Sequence, residues 1–152
     1  MRARLDVLFA DYAEHHRSAG NQWCHSVGIP LIAFGTLGLT SLPLFAVRGW
    51  AVEAALLLIA LMAPVYLGLD LRLGLALTAV YVLLYLGARH VPWQWNLGLF
   101  ALGWVFQFIG HGVYEKRSPA FFKNLAHLLV GPMWVLNHFI PLKAIPGPRS
   151  SQ

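Results

Sequence analysis

The chain has 152 residues, of which 58% are hydrophobic and only 11% are charged. Soluble domains carry about 25% charged residues, so the composition favours one domain embedded in a lipid bilayer over a soluble enzyme. The net charge of +5 does not indicate a nucleic-acid-binding protein, because the basic residues are scattered at the edges of apolar segments and form no stripe.

The first predicted element is an amphipathic helix from Leu5 to about His16. Apolar residues recur on one face of this helix at positions 5, 8, 9, 12 and 13, with charged residues between them. We expect it to lie in the membrane interface or to dock on a helical bundle. Residues 18–21, with a glycine and an asparagine, interrupt it.

Four or five candidate membrane-spanning helices follow. They cover residues 23–45, 50–69, 71–88 and 93–114, and a weaker fifth candidate covers residues 121–142. Several are on the short side of the ~20 residues that cross a bilayer. The predicted fold is therefore all-α: an integral membrane bundle of four to five transmembrane helices with an N-terminal amphipathic helix. Residues 1–142 form one domain, and residues 143–152 form a flexible tail.

The distribution of basic residues predicts the orientation of this bundle. The start of the first span and the end of the fourth lie on the same side of the membrane, because an even number of crossings separates them. That side holds most of the cations, namely Arg2, Arg4, Arg17, Arg72, Lys116, Arg117 and Lys123. The positive-inside rule therefore places the N-terminus in the cytoplasm.

The same topology brings two distant polar clusters to one face of the membrane. The first is at the entrance of the first span, and the second, at the exit of the fourth, holds His111 and Glu115, which are four residues apart on one helical face. The entrance cluster consists of His15, His16, Asn21 and His25. Imidazoles and a carboxylate suit iron, zinc, copper or manganese, and histidines near hydrocarbon are costly unless they are paired or bind something.

Each of these residues also has a simpler interpretation. The histidines could be interfacial caps, and His15, adjacent to His16, must point elsewhere. Asn21 could cap the first span. Glu115 could be a metal ligand, a base or the partner of a nearby cation.

Three further histidines lie outside the two clusters. His127 is close enough to the site end of the fifth helix to join a metal site, whereas His138 is not. His90 is expected at the opposite interface. The only cysteine, Cys24, excludes disulfides and thiolate metal sites within the chain.

Two motifs give the chain a family resemblance. They read Y-x3-H-x4-N-x3-H-x2-G-x-P from Tyr12 to Pro30, and W-x2-Q-F-I-G-H-x3-E-x3-P-A from Trp104 to Ala120. With these motifs the chain resembles the Mpo1-like family of small membrane proteins, also known as domain of unknown function 962. The resemblance covers nearly the whole chain, and its compact loops indicate a bacterial member located in the inner membrane.

The resemblance implies an iron(II)-dependent dioxygenase that shortens 2-hydroxy fatty acids by one carbon. The implied partners are dioxygen, a 2-hydroxy fatty acid and the bilayer, and the implied cofactor is Fe²⁺. The implied metal ligands are His16, His25 and His111, with His127 close by. The candidate catalytic residues are Glu115, Asn21 and Tyr12, and the residues able to steer the substrate carboxylate are Arg17, Lys116 and Arg117.

Two other functions remain compatible with the residues alone. One is a metal-dependent lipid enzyme of another type, such as a zinc hydrolase. The other is a non-enzymatic membrane module in which two histidines on opposite helices bind haem non-covalently or carry a metal. Bound-metal content and a haem absorption band distinguish the three.

Overall fold

A computed structural model describes residues 2–116 and 126–144. Over these residues the chain is mostly helical, with six α-helices and one short hairpin. The elements are α1 (Arg2–Glu14), α2 (Ala19–Leu39), β1 (Pro43–Val47), β2 (Trp50–Glu53), α3 (Ala54–Leu69), α4 (Leu71–Ala88), α5 (Trp93–Ile109), a π-helical turn (Gly110–Glu115) and α6 (Ala126–Phe139).

Two of the described helices are long and apolar enough to cross a bilayer. They are α4 and the continuous helix Trp93–Glu115, formed by α5 and the π-helical turn. Only 28% of the apolar segment of α4, and 22% of that of Trp93–Glu115, is buried inside the protein. Most of their apolar surface therefore faces outward, as a lipid-facing surface does. Helix α3 is apolar but has 16 residues. Four to five spanning helices were expected, and the described residues support two.

The all-α prediction needs correction at residues 43–53, where β1 and β2 pair as an antiparallel hairpin. The first predicted span ran to Phe45, but α2 ends at Leu39. After it, the hydroxyl groups of Thr40 and Ser41 donate to carbonyl oxygens of the last helical turn, and Pro43 has no backbone N–H with which to extend the helix. The two residues between the strands, Arg48 and Gly49, have φ values of 51° and 85°. A two-residue hairpin turn of type I′ requires a positive φ at both central positions, and its geometry fits the right-handed twist of the two strands.

The amphipathic helix α1 is docked on the bundle. Its residues Leu5, Phe9 and Tyr12 are almost fully buried and share one apolar cluster with α6, including Met133 and Trp134. Their spacing places them on one face, so burial of that face, about 1.5–3 kcal/mol for each large side chain, holds α1 against α6. This docking fixes the position of the chain that leads into α2.

Helices α2 and α5 pack with their backbones in contact. A Cβ atom built on Gly103 would lie 2.7 Å from the carbonyl oxygen of Gly28, and one built on Gly35 would lie 2.6 Å from the carbonyl oxygen of Asn96. Small residues at such crossings let membrane helices approach closely, and van der Waals packing then supplies the association energy.

Ion pairs join separate elements at both ends of the bundle. Glu53 at the end of the hairpin accepts hydrogen bonds from Tyr85 (2.9 Å) and from Arg89 (2.7 Å) in and after α4. At the other end, Lys143 Nζ lies 3.0 Å from a carboxylate oxygen of Asp6 and 3.8 Å from one of Asp70. Lys143 is the first residue of the predicted tail, of which residues 145–152 lie outside the described residues.

The glycine contact predicts a position-dependent effect of one substitution in α5. In Gly103→Ala the new methyl group would meet backbone atoms of α2, which cannot rotate away, and we expect a loss of about 1–3 kcal/mol of stability. Gly98→Ala is the matched control, because a Cβ there meets nothing within 4 Å and alanine is the better helix former. Thermal unfolding in detergent measures both; equal melting temperatures would contradict the proposed contact.

Candidate functional site

Three histidines from separate parts of the chain meet in the interior. His16 lies in the segment between α1 and α2, His25 lies in α2, and His111 lies in the π-helical turn. All three side chains are buried, and one ring nitrogen from each lies within 4.8 Å of the others. The structure therefore brings together the three histidines that the sequence motifs singled out.

The orientation of two of these rings is set by the backbone. His16 Nδ1 lies 2.7 Å from the carbonyl oxygen of Tyr12, and His25 Nδ1 lies 3.0 Å from that of Asn21. A carbonyl oxygen only accepts, so each Nδ1 carries the proton and each neutral ring presents a bare Nε2. Carbonyl partners of this kind orient metal-binding histidines in proteins.

The two Nε2 atoms of His16 and His25 are only 3.0 Å apart. With both Nδ1 atoms protonated, two lone pairs face each other, which is unfavourable unless a proton or a cation lies between them. Metal–nitrogen distances of about 2.0–2.1 Å allow two ligand atoms at this separation to share one ion. The donor set and its geometry thus fit a metal ion.

The environment keeps His16 in the form that binds metals. Burial, and then the neighbouring His25, lower the pKa of His16 far below its ordinary value, so its ring is neutral at physiological pH. Tyr12 stacks on this ring with centroids 3.8 Å apart and planes 8° from parallel. Burial raises the pKa of Tyr12 above its ordinary value, so the phenol stays protonated and supports the ring by packing.

Glu115 and Asn21 join the two halves of the site. Glu115 Oε1 accepts a hydrogen bond from the backbone N–H of Ser18 (2.8 Å) and one from Asn21 Nδ2 (3.3 Å). Glu115 therefore ties the π-helical turn to the start of α2. Among the described residues it forms no ion pair with a lysine or arginine, which was one of the roles considered for it.

The π-helical turn that carries His111 begins at a residue that must be small. A Cβ on Gly110 would lie 2.4 Å from Asn21 Oδ1, an oxygen that is buried without a hydrogen-bond partner among the described residues. Single π-helical turns inside α-helices are rare and are frequent at functional sites. This one ends at Glu115, and the next residue, Lys116, has a φ of 53°.

His127 belongs to a second cluster and not to the three-histidine site. Its Nε2 lies 2.7 Å from Asp11 Oδ2, and its ring is 5.1 Å from that of His15. Asp11, His15 and His127 thus form their own group of donor atoms within 4.8 Å of one another. Tyr12 separates the two groups, with its ring 5.6 Å from that of His127.

Three basic residues were predicted to steer the substrate carboxylate, and the structure describes two of them. Arg17 and Lys116 are exposed, next to His16 and Glu115 in sequence. Arg117 lies outside the described residues. Two histidines without an assigned role, His90 and His138, are also exposed.

An apolar cavity extends from the three histidines into the bundle. Along α2 its lining runs from His25 to Leu37, about 18 Å at ~1.5 Å per residue. The other helices contribute mainly aliphatic and aromatic side chains. Its lining includes Ile29, Ile32, Ala33, Thr36, Leu58, Ile59, Met62, Tyr66, Tyr81, Trp104, Gln107 and Pro132, besides the histidines His16, His111 and His127.

Sequence reasoning missed a polar residue of this cavity that lies close to His111 in the chain. Gln107 appears in the second motif but received no role, although it lies four residues before His111 and thus on the same helical face. That spacing was the available signal. Asp11, the partner of His127, was likewise treated only as a polar position of α1.

Comparison with known proteins gives one family. The profile of the Mpo1-like family, described as 2-hydroxy-palmitic acid dioxygenase Mpo1-like, matches residues 3–141. The 2-hydroxy-palmitic acid dioxygenase MPO1 of Saccharomyces cerevisiae is 31% identical over 131 residues, which cover 85% of this chain and 75% of the yeast protein. No solved structure shows significant similarity to the chain.

The bonds of Glu115 predict its contribution to stability. We expect Glu115→Ala to lower the free energy of unfolding by about 1–2 kcal/mol, because hydrogen bonds to a charged group are lost and partial exposure weakens them. Glu14→Ala is the control, since the side chain of this half-buried glutamate forms no hydrogen bond with the described residues. Unfolding in detergent with increasing denaturant measures both; equal losses would contradict the role of Glu115.

Proposed function

The chain belongs to the Mpo1-like family, and we propose that it is an iron(II)-dependent membrane dioxygenase that cleaves the C1–C2 bond of 2-hydroxy fatty acids. The observation that carries this proposal is the pair of facing Nε2 atoms of His16 and His25, 3.0 Å apart, at the end of an apolar cavity. A polar metal-binding end joined to an apolar channel matches a substrate with a polar head and an acyl chain.

The residues of the site would act by holding a metal and by shaping its surroundings. His16, His25 and His111 would hold iron(II), and the carbonyl oxygens of Tyr12 and Asn21 would keep two of the rings in place. When bound, iron(II) supplies the activation of dioxygen that amino-acid side chains do not provide. Three protein ligands leave coordination positions free, as catalytic metal sites require.

The proposed reaction balances without an external reductant. A 2-hydroxy acid and dioxygen give the acid one carbon shorter, carbon dioxide and water. The C1–C2 bond breaks, C2 loses three electrons as it becomes a carboxyl carbon, and C1 loses one as it becomes carbon dioxide. These four electrons reduce both oxygen atoms of dioxygen, and one oxygen atom of the reactants leaves as water.

The cavity would hold the acyl chain inside the bundle. An extended chain of single bonds advances roughly 1.2 Å per bond, so a lining of about 18 Å accommodates about fifteen carbons. Its walls come from α2, α3, α4, α5 and α6. A buried chain of this length is consistent with the 2-hydroxy-palmitic acid in the name of the yeast relative.

The location of the protein is part of the same proposal. The outward-facing apolar surfaces of α4 and α5 support a protein embedded in a membrane. The excess of basic residues near the histidines supports a site on the cytoplasmic side. In a bacterium this would be the inner membrane.

The first prediction of this proposal concerns bound metal. Protein purified without oxygen should contain close to one iron per chain. His25→Ala and His111→Ala should lose most of it, because each removes one of three ligands. His127→Ala should keep its iron, since His127 is held by Asp11, and the exposed His90 provides the control His90→Ala. Elemental analysis measures all four variants.

Other outcomes of the same measurement point elsewhere. Stoichiometric zinc with no iron would favour the hydrolase. An intense haem absorption band would favour the haem module, in which histidines are the axial ligands. Absence of metal from the wild-type protein would leave the proposal without its cofactor.

The second prediction concerns chain length. Ala33 lines the cavity about two turns beyond His25, so Ala33→Phe should block its deeper half. Turnover of 2-hydroxypalmitic acid should fall at least tenfold, while acids of about eight carbons should be spared. Ala79→Phe, on an exposed position of α4, is the matched control. Product analysis across chain lengths tests this; equal losses for short and long acids would contradict the proposed path of the chain.

A further inference from the structure

Gln107 carries a buried hydrogen-bond donor that the fold itself leaves unused. The side chain is 6% exposed, and its Nε2 has no hydrogen-bond partner among the described residues. Buried polar groups in proteins are almost always paired, and an unpaired one costs free energy. A leucine or methionine would fill the same space without this cost, which indicates that the amide has a partner other than the described residues.

The amide is held in place by the packing of α2 against α5. Nε2 occupies the space over Gly28, where a Cβ atom would lie only 2.5 Å from it. The backbone of Gly103 closes the same space from α5, since its carbonyl oxygen would be 2.8 Å from that Cβ. Gly28 therefore provides room for the amide, and the close approach of the two helices limits its movement.

The position of Gln107 relates it to one part of the proposed substrate. It lines the same cavity as His25 and His111, and it precedes His111 by one helical turn. In α5 this turn lies on the side of the acyl chain, away from the end of the cavity where the histidines meet. A group bound there would be the part of the polar head nearest to the acyl chain, which is the oxygen on C2.

We propose that Gln107 recognises the 2-hydroxyl group of the fatty acid, and this inference rests on the proposed function. An amide offers both a donor and an acceptor, and so does a hydroxyl group, whereas the methylene at C2 of an ordinary fatty acid offers neither. Binding of the ordinary acid would leave the buried donor unpaired. Sites built to hydrogen-bond a substrate hydroxyl reject analogues that lack it for this reason.

The experiment is an equilibrium-binding measurement on the iron-loaded protein without oxygen, so that no turnover takes place. Dissociation constants are measured for 2-hydroxypalmitic acid and for palmitic acid. We expect the wild-type protein to prefer the hydroxy acid by at least tenfold. In Gln107→Met, which keeps the shape of the side chain, the preference should fall to within about twofold of unity, mainly through weaker binding of the hydroxy acid.

Gln94→Met is the matched control, because Gln94 is a glutamine in the same helix on an exposed position. It should keep the wild-type preference. Iron content shows whether each variant retains the site, and Gln107→Leu provides a second apolar replacement if the methionine variant does not fold.

The outcomes separate this inference from the proposed function. An unchanged preference in Gln107→Met or Gln107→Leu, or equal binding of both acids by the wild-type protein, would overturn the role of Gln107 while leaving the dioxygenase proposal intact. A wild-type protein that binds neither acid would overturn both.

Discussion

The contact between the backbones of α2 and α5 is the constraint on which the rest of the protein depends. Three close approaches, Gly35 with Asn96, Gly28 with Gly103 and Asn21 with Gly110, lie along it, and the residue numbers of each pair add up to the same value, as an antiparallel register requires. Between apolar surfaces in lipid the hydrophobic effect does little to join helices, so packing of small residues must do so. The register then carries the site, because it brings His25 of α2 beside the histidine of the π-helical turn.

Hydrogen bonds and packing within the protein orient the side chains of the three-histidine site. Two rings are held by backbone carbonyls, one of them is covered by a stacked tyrosine, and the turn that bears the third is tied to α2 through Glu115. Polar groups in apolar surroundings are costly unless paired. Here each pairing also restricts a ring to one orientation, which is what a metal site needs from the residues around its ligands.

Two residues next to this site, Glu115 and His127, have roles that are each determined by their hydrogen bonds. Glu115 and His127 both carry groups able to bind metals, and both were candidates on sequence grounds. In the structure Glu115 bonds to the start of α2, and His127 bonds to Asp11. The carboxylate of Glu115 is thus a link between elements, and the imidazole of His127 has a partner from α1.

The sequence by itself determined the helical, lipid-compatible character of the chain, the bounds of α4 at Leu71 and Ala88, and the two motifs whose histidines meet, because helical period, hydropathy and motif spacing are local properties. It did not predict the hairpin of β1 and β2, in a segment whose apolar residues resemble the end of a spanning helix. Only the tertiary structure decided that His16, His25 and His111 converge while His127 pairs with Asp11. It also decided that Gln107 lines the cavity and has a buried Nε2 without a hydrogen-bond partner among the described residues. The physical reason is that these relations depend on the register between helices that are far apart in the chain. Close contacts at glycine residues set this register to within one helical turn, and local sequence patterns do not predict it.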